Sequence, residues 1–429
     1  MHQEKIIKIV IVGGGFAGLT LANELSKNDF ARVTLVDRNN YHLFSPLLYQ
    51  VATGFVDASN ISYPFRRMFK RRKNLRFVLG ELKQVVPEGK FIVTSAGLIS
   101  YDHLVFAMGA KTNFFGNGNI EKQAMPMKTL DDALRFRNHL LLNMEKASRT
   151  TDPQERERLL TVVISGGGPT GVEIAGMLAE MKRNILAKEY PELKNTTADL
   201  HLVTSGGVLL RPMSPKAQQE SLGVLAELGV KVSFNAAVTD YSDGLVRLSN
   251  GKTIATENFI WAAGVSAAET PGLGIVSLCD GGRIAVNCYN KVIGAQNIYA
   301  IGDQCIQTAD PKYPKGHPQV VAVAIQQARR LAGNFKRCQM GKWPMPFEYK
   351  EKGSMAIISK YKAVADLPFG SFKGLPAWLL WLVVHIIPIA GFGNKLKLCC
   401  NWFWSLVTND PTLRLIIRPD RGTPNSKIS

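Results

Sequence analysis

The sequence predicts an α/β fold: two Rossmann-like dinucleotide-binding domains in one chain, followed by an amphipathic helical C-terminal region. Three observations predict it. A strand pattern at residues 6–12 runs into a G-x-G-x-x-G turn and an apolar helix. The same succession returns at residues 160–183. Residues 375–392 are almost wholly apolar, and Trp402, Phe403 and Trp404 follow closely. A length of 429 residues suits two or three domains. With 46% hydrophobic and 20% charged residues the chain is neither disordered, collagenous nor coiled coil. Its net charge of +18 calls for an anionic partner: nucleic acid, a phosphorylated cofactor or an acidic membrane surface.

In the first unit the strand 6–12 leads into Gly13, Gly15 and Gly18, a helix over 19–25 and a second strand over 33–36 that ends at Asp37. Gly13 permits the tight turn, Gly15 lets backbone approach a pyrophosphate, and Gly18 lets the helix pack on its strand. The helix N-terminus supplies N–H donors and positive dipole to the phosphates. Asp37 can accept hydrogen bonds from a ribose diol. The run before Gly13 is too short for the core of a signal peptide, which predicts a cytosolic start.

The second unit has a strand over 160–164, then Gly166, Gly168 and Gly171, a helix over 172–183 and a strand over 199–203. Two dinucleotide sites in one chain imply electron transfer between two cofactors. The residue matching Asp37 is Thr204, followed by Ser205. A neutral hydroxyl bonds a ribose without repelling a 2′-phosphate, so NADPH is admissible beside NADH. Arg211, the nearest cation downstream, reads as a solvated surface residue.

Two strands ending at Gly109 and Gly264 resemble returns from one domain to the other, and a third, over 297–301, ends in Gly302-Asp303. Such a Gly-Asp pair resembles the second flavin-binding motif of two-dinucleotide flavoproteins, making the first cofactor FAD and the second a nicotinamide nucleotide. An FAD domain over 1–113 and 280–342 then encloses a nicotinamide domain over 114–279, with a polar helical stretch at 131–158. A C-terminal membrane-associated region covers 343–429.

Six cysteines include no C-x-x-C pair, so neither a disulfide scaffold nor a metal site is expected. Disulfide reductases and flavin peroxidases built on this plan keep a cysteine beside the flavin. The corresponding segment, YHLFSPLLYQVATG at 41–54, has none. Thiol chemistry needs a thiolate within reach, so both classes are disfavoured. Cys399 and Cys400 read as small apolar residues on a buried face.

The runs NYHLFSPLLYQVATG (40–54), GGGPTGVE (166–173), WAAGV (261–265), YAIGDQC (299–305) and WLLWLVVHIIPIAGFGNKL (378–396) resemble the type II NADH:quinone oxidoreductases. The resemblance spans nearly the whole chain. It implies a monotopic flavoenzyme that passes electrons from NADH through FAD to ubiquinone or menaquinone without pumping protons. It places FAD against Gly13, Gly15, Gly18, Asp37, Asn40, Gln50, Gly109 and Asp303. It places the nicotinamide nucleotide against Gly166, Gly168, Gly171, Glu173 and Gly264. Glu173 would influence nucleotide or quinone binding and proton uptake. On the quinone side, the family's Ala-Gln-x-Ala-x-Gln-Gln run appears as 321–327 with Ala322 in place of the first glutamine. Gln326 remains, and Lys352 in KGSMA resembles a quinone-side lysine.

Pro376 and Pro388 interrupt the apolar C-terminal segment, and Lys395 and Lys397 flank its tryptophans. Aromatic faces bordered by lysine suit helices lying in the membrane interface better than a single span. From Tyr349 onward eleven cationic residues stand against four acidic ones, which suits anionic lipids. A homodimer face is the other use for an apolar helix. The basic stretch FRRMFKRRKNLR at 65–76 is not expected to bind nucleic acid, since no recognition fold accompanies it. It reads as a solvated helix face or a lipid clamp. The expected location is the cytoplasmic side of the inner membrane. Two alternatives are a soluble NAD(P)H flavin reductase serving a protein acceptor and a non-catalytic nucleotide-binding redox sensor.

Overall fold

The computed structural model describes residues 6–194, 196, 198–274, 278–408 and 414–417. Asp410, Arg418, Asp420, Arg421 and Lys427, counted in the C-terminal charge balance, lie outside the described residues. The chain packs as two units. The first comprises Met1–Leu43, Ser62–Asn113 and Val265–Lys352, and the second Phe44–Ile61, Phe114–Gly264 and Gly353–Ser429.

The first unit is built on a five-stranded parallel sheet in the order Ile298–Ala300, His103–Phe106, Ile7–Val12, Ala31–Asp37, Leu75–Leu79. The strand Ile7–Val12 is nearly continuously apolar because both its faces are covered. Ile9 and Ile11 pack with Leu21, Leu25 and Leu331, while Val10 and Val12 pack with Leu104, Phe106 and Ile298. The helix Phe16–Leu25 starts three residues earlier than the sequence suggested, because Gly15 already holds the cap position. The helix Val321–Gln339 lies beside it. In the basic stretch only Phe65–Met68 is helical. Phe65 and Phe69 turn into the core, while Arg66 lies over the Phe77 ring and Arg67 over Tyr63.

The second unit repeats the plan, with parallel strands in the order Met125–Pro126, Asn258–Trp261, Val162–Ser165, Leu200–Val203, Val230–Ser233. The strand expected from residue 160 begins at Val162, because Leu160 ends the helix Pro153–Leu160. The polar stretch 131–158 is therefore two helices. Leu130–Arg149 opens on a Thr129/Asp132 capping box, and the second opens on Asp152 with proline at its first position.

The C-terminal region is not helical throughout. Strands Ser354–Ser359, Lys362–Leu367 and Gly370–Lys373 form an antiparallel sheet that the sequence reading missed. The helices Gly374–Ile386 and Phe392–Thr408 follow it. Pro388 and Gly391, the latter at φ +82°, separate them, so the 18-residue apolar run is broken. No helix among the described residues is long and apolar enough to cross a membrane. In the first helix Ala377, Trp378 and Trp381 are buried, while Leu379 and Val383 are exposed, as is Ile387 just after it. In the second Leu398 is buried and Phe392, Phe403 and Trp404 are exposed. Cys399 and Cys400 are exposed, which corrects the buried reading. Successive helix positions rotate by about 100°, so neither shares the Leu398 side.

Candidate active site

In a parallel sheet, ligands settle beyond the carboxyl ends of the strands, where the winding reverses. In the first unit that edge carries Gly13, Asp37, Gly109 and Asp303, each just after or at the end of its strand. Gly13 has φ +103°, and a side chain there would overlap the Ala107 carbonyl; one on Gly18 would overlap the Gly13 carbonyl. Gly15 differs. Its backbone is extended, and a Cβ there would meet no atom within 4 Å. No side chain caps the helix behind it. An open position before an uncapped helix N-terminus is the shape a pyrophosphate fills.

Asp37 fixes this turn. Its carboxylate accepts the Gly14 N–H at 2.6 Å and the Asn39 N–H at 2.7 Å. Burial raises its pKa, opposed by these two bonds and by Arg38. The remaining lone pairs stay available to a diol. The exposed Asn40 uses its carbonyl to accept the Phe65 N–H. Gly109 sits at φ +68° and accepts the Ala268 N–H. Asp303 lies in the short turn Gly302–Gln304, and its carbonyl accepts from Gln319.

Two buried glutamines, within the 299–305 and 321–327 runs, were given no role of their own by the sequence. Gln304 accepts from Met108 N–H and donates to the Ala268 carbonyl, tying two chain crossings together. Gln327 accepts the Gly302 N–H at 2.7 Å and so sets the turn that carries Asp303. Beside it on the helix, the Gln326 amide donates to the Lys350 carbonyl at 2.9 Å and accepts the Lys350 N–H at 3.1 Å. That pairing holds the segment that leads to exposed Lys352 and leaves Gln326 one N–H and one lone pair. Ala322 is half-buried on the same helix.

The second unit reproduces the cradle. A side chain on Gly166, at φ +129°, would crowd the Ala262 carbonyl, and one on Gly171 would overlap the Gly166 carbonyl. Gly168 has open space and caps its helix without a side chain. Gly264 is covered by the Phe115 ring. Thr204 ends the strand as Asp37 does, and its hydroxyl accepts the Gly206 N–H at 3.3 Å. Arg211 is exposed.

Glu173 is buried on the helix Pro169–Met181, where the Ile357 N–H donates to it. Burial holds its pKa well above the usual carboxylate range. Midway along this helix a side chain on Gly176 would overlap the Ile358 carbonyl, so glycine lets the strand Ser354–Ser359 lie directly on the helix. Glycine inside a helix costs about 1 kcal/mol relative to alanine. That cost was a readable signal for close approach.

Beside these groups the second unit contains a pocket of about 620 Å³, open mouth included, walled by Trp378, Trp381, Trp402 and Phe55. Its polar groups are Gln50, Glu180, Asn184, Lys360 and Ser405. Trp402 donates its indole N–H to Gln50 at 2.9 Å, and Gln50 donates to the Tyr49 hydroxyl. Trp381 stacks on His385 at 4.0 Å, and burial pushes the His385 pKa down to about 4, so the ring is neutral near pH 7. The buried Trp381 N–H has no acceptor among the described residues. Of the wall, sequence reasoning had singled out Gln50 as a site residue. Cys305, the buried thiol nearest Gly302, is pushed up to about 12 by desolvation and is inert.

Residues 7–328 match the family described as Pyridine nucleotide-disulphide oxidoreductase, and residues 352–408 match the NDH2 C-terminal domain. The chain is 35% identical to the type II NADH:quinone oxidoreductase Ndh of Mycobacterium tuberculosis, over 92% of this chain and 87% of that protein. It is 28% identical to the type II NADH:quinone oxidoreductase of Haemophilus influenzae, over 84% and 86%. NDH2 from Plasmodium falciparum, solved in complex with NADH, superposes with a TM-score of 0.87 at 23% identity, covering 96% of this chain and all of that one.

Proposed function

The chain belongs to the type II NADH:quinone oxidoreductase family, and from that premise we propose how its residues divide the work. It is an FAD-dependent oxidoreductase that transfers a hydride from NADH to FAD and two electrons onward to a quinone, without proton pumping. The observation that carries the reading is the pair of glycine cradles, each with an open position before an uncapped helix. Membership of the family sets aside the protein-acceptor and non-catalytic alternatives.

The residues fit FAD in the first unit and the nicotinamide nucleotide in the second. In this division by role, residues 1–113 and 280–342 hold FAD, 114–279 hold the nucleotide and 343–429 serve the membrane. Gly13, Gly15 and Gly18 shape the FAD pyrophosphate cradle, Asp37 takes the ribose, and Asn40, Gly109 and Asp303 complete the set, while Gln50, which the resemblance also gives to FAD, packs in the second unit and accepts from Trp402. Gly166, Gly168, Gly171 and Gly264 receive the nucleotide. Thr204 leaves that ribose without a carboxylate partner, so NADPH competes better here than in relatives with an acid at that position. Bound FAD supplies the redox chemistry, while the protein positions the reactants and excludes water. Glu173, whose pKa burial holds well above the usual carboxylate range, influences nucleotide binding and proton uptake. Gln326 and Lys352, which the resemblance gives to the quinone side, lie in the first unit and are not part of the second unit's tryptophan-walled pocket.

We place the quinone ring, ubiquinone or menaquinone, in the tryptophan-walled pocket. Its walls are largely aromatic and apolar, which suits a flat ring. Its outer helices rest on the cytoplasmic face of the inner membrane against anionic lipid. The same outward face would serve a homodimer, a use that sedimentation in detergent tests. Filling the pocket with Leu382→Trp should lower kcat/KM for quinone by about tenfold or more, equivalent to ~1.4 kcal/mol. Flavin reduction by NADH should proceed as before. Undiminished use of quinone by that variant would remove the assignment.

A further inference from the structure

Glu180 has no part in the account above, yet its carboxyl lines the pocket. It sits two turns beyond Glu173 on the helix Pro169–Met181, so both acids face the C-terminal sheet. Glu173 accepts the Ile357 N–H and Glu180 the Lys360 N–H. Between them Gly176 admits the strand. The two acids nevertheless face different surroundings. Glu173 does not line the pocket, whereas Glu180 shares its wall with the Lys360 ammonium, which donates to the Leu406 carbonyl at 2.8 Å.

The groups that act on Glu180 are Lys360 from the sheet hairpin, Arg183 in the segment Lys182–Leu186 that follows its helix, and the Tyr49 phenol from the helix Leu48–Ala52. Burial raises its pKa, and the Lys360 N–H, the Lys360 ammonium and Arg183 oppose that rise. Such a group holds its proton more tightly than a solvated carboxyl and has cations at hand once it loses it.

We propose that Glu180 is the acid that gives the bound quinone the proton that hydride transfer does not supply. The inference rests on the pocket being the quinone site. A hydride carries two electrons and one proton, and quinone needs two of each to become quinol. The missing proton comes from Glu180: its O–H bond breaks, an O–H bond forms on the quinone oxygen, and a carboxylate remains. Lys360 and Arg183 stabilise that carboxylate until water reprotonates it. No other oxidant or reductant takes part.

The test uses the full-length, FAD-loaded protein and a soluble short-tailed quinone. Wild-type kcat/KM for quinone should fall toward alkaline pH as Glu180 loses its proton. In Glu180→Gln that alkaline limb should vanish, with a neutral-pH loss of about a hundredfold, the lower reach of general acid catalysis. Glu180→Asp should restore the limb, which separates a lost proton donor from a damaged fold. Quenching of tryptophan fluorescence by the quinone without NADH reports binding apart from turnover, and should give similar affinities in wild type and Glu180→Gln. If both bind quinone alike and Glu180→Gln keeps the wild-type rate and alkaline limb, the proton role is overturned and the pocket reading stands. If the quinone quenches neither protein, the pocket reading is overturned and the proton role with it.

Discussion

Gly168→Ser lowers kcat/KM for NADH by at least about a hundredfold, ~2.7 kcal/mol, while the protein keeps its flavin. Gly15→Ser, its counterpart in the first unit, yields protein that purifies without flavin. Both positions have extended backbone and open space, so neither change strains the fold. Serine is a favourable residue at a helix start and leaves the helix at least as well capped as glycine does. What it does is put an atom where a phosphate must lie. Any loss then measures the clash with ligand rather than damage to the helix. Flavin absorbance and NADH titration check the pair. Reversed outcomes, with Gly168→Ser colourless and Gly15→Ser insensitive to NADH, would exchange the two cofactors.

Charging the outward face of the C-terminal helices moves the protein off the membrane. Leu379, Val383 and Phe403 are 51%, 56% and 67% exposed, so glutamate at all three leaves the core untouched. Each apolar side chain buried in the interface contributes about 1.5–3 kcal/mol. Loss of all three should cut partitioning to anionic vesicles by a thousandfold or more, since ~1.4 kcal/mol is a factor of ten. FAD and activity on a short-tailed quinone should survive, and activity on a long-tailed quinone should collapse. These point changes are cleaner than deleting the region, because Ala377, Trp381 and Leu398 are fully buried in the second unit. Recovery of the triple variant in the membrane pellet with full long-tail activity would show that this face does not bind lipid.

The two βαβ units were legible because local chemistry dictates them. Gly13 and Gly166 stand at positive φ under a neighbouring carbonyl, so no other residue fits. Asp37 bonds the turn twenty-three residues behind it, a span within one supersecondary unit. The pocket was not legible. Its Trp402–Gln50 bond joins residues 352 positions apart, and no local pattern announces such a meeting. The sheet over Ser354–Lys373 was missed because its strands are short and two of their turns depend on Tyr361 and Gly370 at positive φ. Gln304 and Gln327 look like any polar residues in the sequence. The structure shows each buried and hydrogen-bonded to backbone, Gln304 to Met108 and Ala268 and Gln327 to Gly302.

Electrons pass from NADH to quinone without protons being pumped across the membrane. The most direct measurement places the purified, FAD-loaded protein on sealed vesicles that contain quinone and a pH-sensitive dye. NADH oxidation and quinol formation are followed together with the internal pH. The account predicts one quinol per NADH, oxidation that stops when quinone is withheld, and no pH gradient at any rate of turnover. NADH oxidation indifferent to quinone, or an internal pH that moves in step with turnover, would contradict it.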